Sequence, residues 1–259
     1  MNRKLTQITF SPGGTTAGTA DIFCAELSPE KNTVDLLTQK PAGDVLLSRD
    51  ELLVVAMPVF AGRIPDTAKK LLDHYKGDKT PAVALAVFGN RDYDDALLEL
   101  CDTLKENGFY VIGAGAFVAR HSIFPAVART RPDEEDKKEI REFARQCAAK
   151  MEAGNITGEI PGGLKGNRPY KEASALPLKP KGNRKCNRCN ICVKICPVGA
   201  ISAGNPRKTD KALCVTCTAC IYHCPQKARN FSGLLYSIAG KKFAEKFSAR
   251  KSPEWFIQG

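Results

Sequence analysis

The first 153 residues alternate between short apolar runs rich in branched side chains and longer segments whose apolar residues recur at helical spacing. The apolar runs predict five strands, at about residues 5–10, 33–37, 52–58, 82–88 and 110–117. The segments between and after them predict helices at about residues 16–26, 65–75, 93–107 and 133–153. Because strands and helices that alternate in this way build open parallel sheets, the pattern predicts a doubly wound α/β domain.

The pattern changes after this domain. Gly, Pro, Lys and Asn become frequent and predict a linker, a cysteine-rich region follows, and apolar residues then recur at helical spacing among basic ones. We therefore expect four parts: a first domain at 1–158, a linker at 159–184, a cysteine-containing domain at 185–230 and a basic helical tail at 231–259.

Eight of the eleven cysteines lie between residues 186 and 224, in two runs with the same Cys-x2-Cys-x2-Cys-x3-Cys-Pro spacing. This spacing is typical of [4Fe-4S] ligation in which the fourth cysteine of each run binds the other cluster. We therefore expect two [4Fe-4S] clusters with crossed ligands. One set is Cys186, Cys189, Cys192 and Cys224, and the other is Cys214, Cys217, Cys220 and Cys196.

Two other uses of these cysteines are less favoured. Zinc also binds Cys-x2-Cys pairs, but eight ligands in two runs that each end in Cys-Pro are unusual for it. Disulfides do not suit a chain that begins without a recognisable export signal, which we interpret as cytoplasmic. The three isolated cysteines, Cys24, Cys101 and Cys147, are expected to be buried packing residues.

Residues 185–229 resemble a bacterial two-cluster ferredoxin, since no ligand is missing and both Cys-Pro steps are present. The resemblance implies a small α+β domain that carries single electrons at low potential. His223, next to a ligand, is expected to face solvent.

A Gly/Ser/Thr turn follows the first predicted strand and precedes a helix. Its residues are Ser11, Pro12, Gly13, Gly14, Thr15 and Thr16. Glycines let backbone amides point inward and the helix N-terminus adds partial positive charge, so this turn suits a phosphate. The turn lacks the motifs that bind nucleoside triphosphates and dinucleotides. A ligand with a single phosphate monoester is therefore favoured over both of these. Such a turn can also be only a connection.

Two further loops follow strands at the same predicted edge of the sheet, at residues 58–65 and 88–93. Together with the phosphate turn they resemble the flavodoxin family over about residues 3–153. The resemblance implies FMN and a five-stranded sheet of order 2-1-3-4-5. The residues it assigns to FMN are Ser11, Gly13, Gly14, Thr15 and Thr16 at the phosphate, and Pro58, Phe60, Ala61, Gly62, Phe88, Gly89, Asn90 and Tyr93 around the ring.

The chain departs from the flavodoxin pattern in two places. Gly13 replaces the middle threonine of the phosphate turn, and the only tryptophan, Trp255, is far from the predicted ring loops in sequence. Arg63 is either a solvated loop residue or a charge beside the flavin.

The two halves in this order resemble the fused flavodoxin–ferredoxin proteins, sometimes called ferrodoxins. This resemblance implies an electron-transfer protein in which clusters and FMN exchange electrons with a partner. The alternative is an FMN-dependent reductase of a small acceptor such as a quinone, a nitro compound or a free flavin, and a redox sensor is less favoured.

Charge is unevenly distributed between the two halves. Residues 1–158 hold 20 Lys and Arg against 23 Asp and Glu, whereas residues 159–259 hold 19 against 5. The positive half predicts acidic redox partners such as a ferredoxin or flavodoxin, or a reductase. No recognisable nucleic-acid motif is present, and docking of the tail onto the first domain is favoured over membrane contact.

Overall fold

The computed structural model describes residues 3–173 and 176–259. Its strands are β1 (Leu5–Thr9), β2 (Asn32–Asp35), β3 (Val45–Leu47), β4 (Leu52–Pro58), β5 (Tyr75–Gly77), β6 (Thr80–Phe88), β7 (Phe109–Val118), β8 (Lys181–Gly182), β9 (Arg229–Asn230) and β10 (Glu254–Ile257). Its helices are α1 (Thr15–Leu27), α2 (Asp66–Leu72), α3 (Ala96–Glu106), α4 (Glu134–Ala153), α5 (Ile191–Lys194), α6 (Ala219–Tyr222) and α7 (Leu234–Lys246). The predicted α/β pattern of the first domain is confirmed, with ends shifted by a few residues.

The central sheet contains five parallel strands in the order β2-β1-β4-β6-β7. This is the expected 2-1-3-4-5 order. A sixth strand, β10, pairs antiparallel with β7, so that Trp255 lies opposite Gly115. The sequence predicts a helical tail for these residues, and the structure corrects this prediction. They form a strand because β7 would otherwise be an open edge, and β10 supplies its missing backbone partners.

Helices cover both faces of this sheet. One apolar cluster packs α2 and α3 on one face, through residues such as Leu72 and Leu100. The other packs α1 and α4 on the opposite face, through residues such as Phe23 and Phe143. Because β4 and β6 are buried along their whole length, they are continuous apolar runs rather than alternating ones. The carboxyl ends of the strands meet at one edge, where the predicted phosphate turn lies.

The three isolated cysteines are buried packing residues, as predicted. Cys24 and Cys147 belong to the cluster under α1 and α4, and Cys101 to the cluster under α3. Burial raises the pKa of the Cys24 thiol to about 12, so it stays protonated at neutral pH.

The segment after α4 contacts the first domain instead of crossing open space. Arg168 donates two hydrogen bonds to the carboxylate of Asp102 in α3, at 2.7 and 2.6 Å. The backbone amide of Lys171 donates to the carboxylate of Asp95, at 2.7 Å. Much of the predicted linker is therefore anchored to α3 by charged hydrogen bonds.

The tail also contacts the first domain, through α7. The ring of Phe243 packs on the rings of His121 and Phe124, with centroids 4.8 and 4.9 Å apart. The hydroxyl of Tyr236 donates to the carbonyl oxygen of Ile123 at 2.8 Å. In the described ranges, no helix combines the length and the apolar character needed to cross a membrane.

Candidate cluster and flavin sites

Two cavities lie inside the cysteine-containing domain, and each is bordered by four cysteines. The first is bordered by Cys196, Cys214, Cys217 and Cys220. The second is bordered by Cys186, Cys189, Cys192 and Cys224. We call the first the inner cavity and the second the outer cavity. Each receives three cysteines from one run and the fourth from the other run, which is the crossed grouping.

The backbone of the two runs follows one plan. Arg188 and Asn190 in the first run have positive φ angles of 60°, and their counterparts Thr216 and Thr218 have 59° and 70°. These left-handed residues turn each loop back so that its cysteines border one space. The amides of Ala200 and Ala228 donate to the sulfur atoms of Cys196 and Cys224, at 3.3 and 3.2 Å.

This arrangement suits a cube-shaped cluster. Four cysteines border a space in each case, and a backbone amide already donates to one cysteine sulfur of each set, as is favourable for thiolate ligands. Burial raises the pKa of the Cys217 thiol to about 12, so binding at neutral pH requires the metal to displace that proton.

The two cavities differ in exposure. Cys217 of the inner cavity is buried and belongs to the same apolar cluster as the core of the first domain, together with Ala219. Its counterpart in the first run, Cys189 of the outer cavity, is exposed. The inner cavity is thus packed against the first domain, and the outer cavity lies toward solvent.

The phosphate turn lies at the start of α1. The amide of Gly14 donates to the carbonyl oxygen of Ser11 at 3.1 Å, and the Ser11 hydroxyl accepts from the amide of Ala17 at 2.9 Å. Gly14 has a φ of +81°, which a glycine adopts without strain. The turn brings Ser11, Gly13, Gly14, Thr15 and Thr16 together at the start of α1, where the amides of Thr15 and Thr16 precede the first intrahelical hydrogen bond and can bind an anion.

The loop after β4 is a tight turn closed by backbone hydrogen bonds between Phe60 and Arg63, at 2.9 and 3.1 Å. Ala61 and Gly62 both have positive φ angles. A Cβ atom on Gly62 would lie 2.2 Å from the Asp94 carboxylate, so this glycine lets the loops after β4 and β6 approach closely.

Arg63 is neither solvated nor free to act on a flavin. Its guanidinium donates to both carboxylate oxygens of Glu99 in α3, at 2.7 and 2.6 Å. It also lies over the ring of Tyr170, 4.7 Å from the centroid. This pairing raises the pKa of Arg63 further and ties the loop after β4 to α3.

The loop after β6 corrects two predicted ring contacts. Asn90 is buried because its side-chain amide donates to the carbonyl oxygens of Phe247 and Ala249, at 2.8 and 2.9 Å. Tyr93 is only 1% exposed, and its hydroxyl donates to the Glu254 carboxylate at 2.7 Å. The C-terminal tail therefore occupies both side chains, and Tyr93 has no open face for a flavin ring.

The other residues predicted around the ring remain at this edge of the sheet. Phe60 and Ala61 are half-buried, while Pro58 and Phe88 end β4 and β6 inside the core. Gly89 packs against His121, since a Cβ atom there would lie 2.5 Å from that imidazole. Phe60 is thus the predicted aromatic that stays partly accessible.

The cysteine-containing domain contacts the phosphate turn directly. A Cβ atom placed on Gly14 would lie 3.0 Å from the hydroxyl oxygen of Tyr222 in α6. One placed on Gly13 would lie 3.9 Å from the hydroxyl oxygen of Thr218. Both contacting residues flank Cys220 of the inner cavity, so that cavity and the phosphate turn are neighbours. Neither Thr218 nor Tyr222 is predictable from the sequence as a site residue, because no motif marks a contact between domains.

His223 is exposed, as expected of a loop histidine.

Comparisons with known proteins agree with this two-part construction. Residues 185–229 match the family model of the 4Fe-4S dicluster domain. A search of curated proteins found no match.

Among solved structures, similarity covers only part of the chain. A flavodoxin from the domain Archaea is 13% identical with a TM-score of 0.42, and the match covers 57% of this chain and 99% of that one. An NADH:FMN oxidoreductase in its apo form is 19% identical with a TM-score of 0.44, over 61% of this chain and 92% of that one. The Streptococcus pneumonia TIGR4 flavodoxin is 18% identical with a TM-score of 0.40, over 56% and 99%.

These structural similarities are remote, and the strand order of the central sheet itself defines the first domain as flavodoxin-like. The second domain is a 4Fe-4S dicluster domain. The chain thus joins a flavodoxin-like domain to a 4Fe-4S dicluster domain, which is the arrangement of the fused flavodoxin–ferredoxin proteins that its sequence resembles.

Proposed function

We propose that this protein transfers electrons between two [4Fe-4S] clusters and an FMN, and on to a redox partner. The observation that carries the proposal is the contact of Thr218 and Tyr222, which flank an inner-cavity cysteine, with the phosphate turn. When bound, the clusters would exchange single electrons and FMN would hold one or two.

The residues of the chain supply two kinds of site. The eight cysteines would hold the clusters in the crossed grouping, and the phosphate turn would bind the FMN phosphate through backbone amides and hydroxyls. Phe60 and the backbone of the loops after β4 and β6 would border the ring.

Cofactor content tests the proposal. Protein purified anaerobically and reconstituted should contain about eight irons, about eight sulfides and one FMN per chain. Removing FMN should abolish electron transfer to the partner but leave cluster reduction intact. Protein that binds clusters but no flavin would contradict the proposed function.

We expect Gly14→Ala to weaken FMN binding about tenfold and to lower the free energy of unfolding by about 1–2 kcal/mol, because a left-handed alanine is strained. Its Cβ atom would also crowd Tyr222. Flavin fluorescence titration and urea unfolding measure the two effects.

Gly18→Ala is the matched control for Gly14→Ala. Gly18 lies in α1, and a Cβ atom there meets nothing within 4 Å. The control should keep wild-type flavin affinity and gain up to about 1 kcal/mol of stability from helix propensity. Equal flavin affinity in the two variants would show that this turn does not hold the phosphate.

The outer cavity is the proposed contact point for an acidic redox partner. Arg184, Lys185, Arg188 and Lys194 are exposed on the run that borders it, and Cys189 is exposed among them. Clustered positive charge around an exposed ligand would steer a negatively charged protein toward the outer cluster.

We therefore expect Arg188→Glu to lower the rate of reduction by an acidic ferredoxin about tenfold at low salt, and to flatten the dependence of that rate on salt. Stopped-flow absorbance measures the rate. Lys40→Glu is an equal charge reversal at an exposed residue of the first domain, and its rate of reduction should stay within about twofold of the wild-type rate. Equal losses in the two variants would indicate an effect of net charge alone.

A further inference from the structure

Arg229 is a fully buried cation in the cysteine-containing domain. Its side chain is 2% exposed. Arg229 lies five residues after Cys224, the last cysteine of the second run. Ile201 lies five residues after Cys196, the last cysteine of the first run, and is also buried, at 4% exposure. The two runs share a backbone plan, so Arg229 replaces an apolar core residue of the first run with a positive charge.

The hydrogen bonds of Arg229 leave its charge without an acidic partner. Its terminal nitrogens donate to the carbonyl oxygens of Pro206 and Pro180 and to the hydroxyl of Thr209, all neutral acceptors. Its Nε–H is buried and has no hydrogen-bond partner among the described residues. A buried guanidinium in this state destabilises the fold unless a negative group lies beside it.

The negative groups that suit this position are the clusters. Arg229 borders the outer cavity together with Cys186, Cys189, Cys192 and Cys224. On its other side, its guanidinium donates to the Pro180 carbonyl oxygen and the Thr209 hydroxyl, and both of these residues border the inner cavity. The guanidinium therefore lies between the two sets of ligands.

We propose that Arg229 is a positioning residue that favours the reduced state of both clusters, by donating its free Nε–H to sulfur and by placing an unpaired positive charge between them. Reduction adds one electron, and hence one negative charge, to a cluster held by four thiolates. A buried positive charge nearby stabilises that added charge in a region of low dielectric. This inference rests on the proposed presence of both clusters.

Redox titration of three variants tests this role, with EPR of the reduced clusters as the readout. In Arg229→Gln, the ratio of reduced to oxidised cluster at a fixed solution potential should fall at least tenfold for both clusters. A tenfold change corresponds to about 59 mV for one electron. Arg229→Lys keeps the charge and should show a smaller fall. Lys208→Gln removes an exposed charge of the same domain, which water screens, and should change the ratio by less than about twofold.

Iron and sulfide content separates the possible outcomes. If Arg229→Gln protein contains its clusters and shows the same ratio of reduced to oxidised cluster as Lys208→Gln, the inference is wrong and the proposed function stands. If the wild-type protein itself contains no clusters, the proposed function is wrong. If Arg229→Gln does not assemble clusters, Arg229→Ile, which copies the first run, replaces it. Failure of both neutral variants to assemble would make Arg229 a structural residue and the inference wrong.

Discussion

The double variant Cys189→Ala/Cys224→Ala is expected to keep about half of the wild-type iron, about four atoms per chain. The two cysteines come from different runs but border the same outer cavity. Removing both damages one cluster only, and the four ligands of the inner cavity remain intact. Iron and sulfide analysis after reconstitution, with spin quantitation of the reduced protein, measures the number of clusters that survive.

Cys189→Ala/Cys196→Ala is the matched counterpart. These two cysteines come from the same run but border different cavities, so each cluster loses one ligand. We expect iron well below half of the wild-type value. If the two double variants exchanged their iron contents, each cluster would be held by a single run and the crossed grouping would be wrong.

The second large effect concerns the ion pair that holds the loop after β4. We expect Arg63→Met to lower the free energy of unfolding by about 3–5 kcal/mol, because it leaves the carboxylate of Glu99 buried and unpaired. The side chain of Glu99 is 1% exposed, and among the described residues its carboxylate accepts hydrogen bonds from Arg63 and from the backbone amide of Ile64, the latter at 3.1 Å. Urea unfolding followed by circular dichroism measures the change.

Two controls test the physical cause. Arg63→Met/Glu99→Gln removes both charges but keeps an acceptor for the Ile64 amide, so it should recover most of the lost stability. Arg49→Met breaks an exposed pair with Asp78 and should cost less than about 1 kcal/mol. A double variant as unstable as Arg63→Met would mean that lost packing, not the unpaired charge, causes the loss.

The strands and helices of the first domain were predictable because burial on both faces makes β4 and β6 continuous apolar runs. The short parallel pair β3 and β5 was not, because each has three residues and Leu46 of β3 is largely exposed. Nor was β10, whose four residues form a strand only because the edge of β7 is available.

The site was predictable in the same uneven way. Ser11 and Gly14 interact within a single turn, so their arrangement follows from local sequence. Tyr93 was misplaced because Glu254, which binds its hydroxyl, lies 161 positions away along the chain. Comparing the two cysteine runs residue by residue would have revealed the exchange of Ile201 for Arg229, but not that the cation lies between two cavities.

By itself, the sequence determined the two cysteine runs, the phosphate turn and the order of strands and helices, since these depend on spacing within one loop or on the periodicity of one element. Only the tertiary structure decided which cavity packs against the first domain, which side chains the tail occupies, and where the charges of Glu99 and Arg229 are buried. Those features depend on contacts between residues far apart in the chain, whose energies arise from burial and close approach.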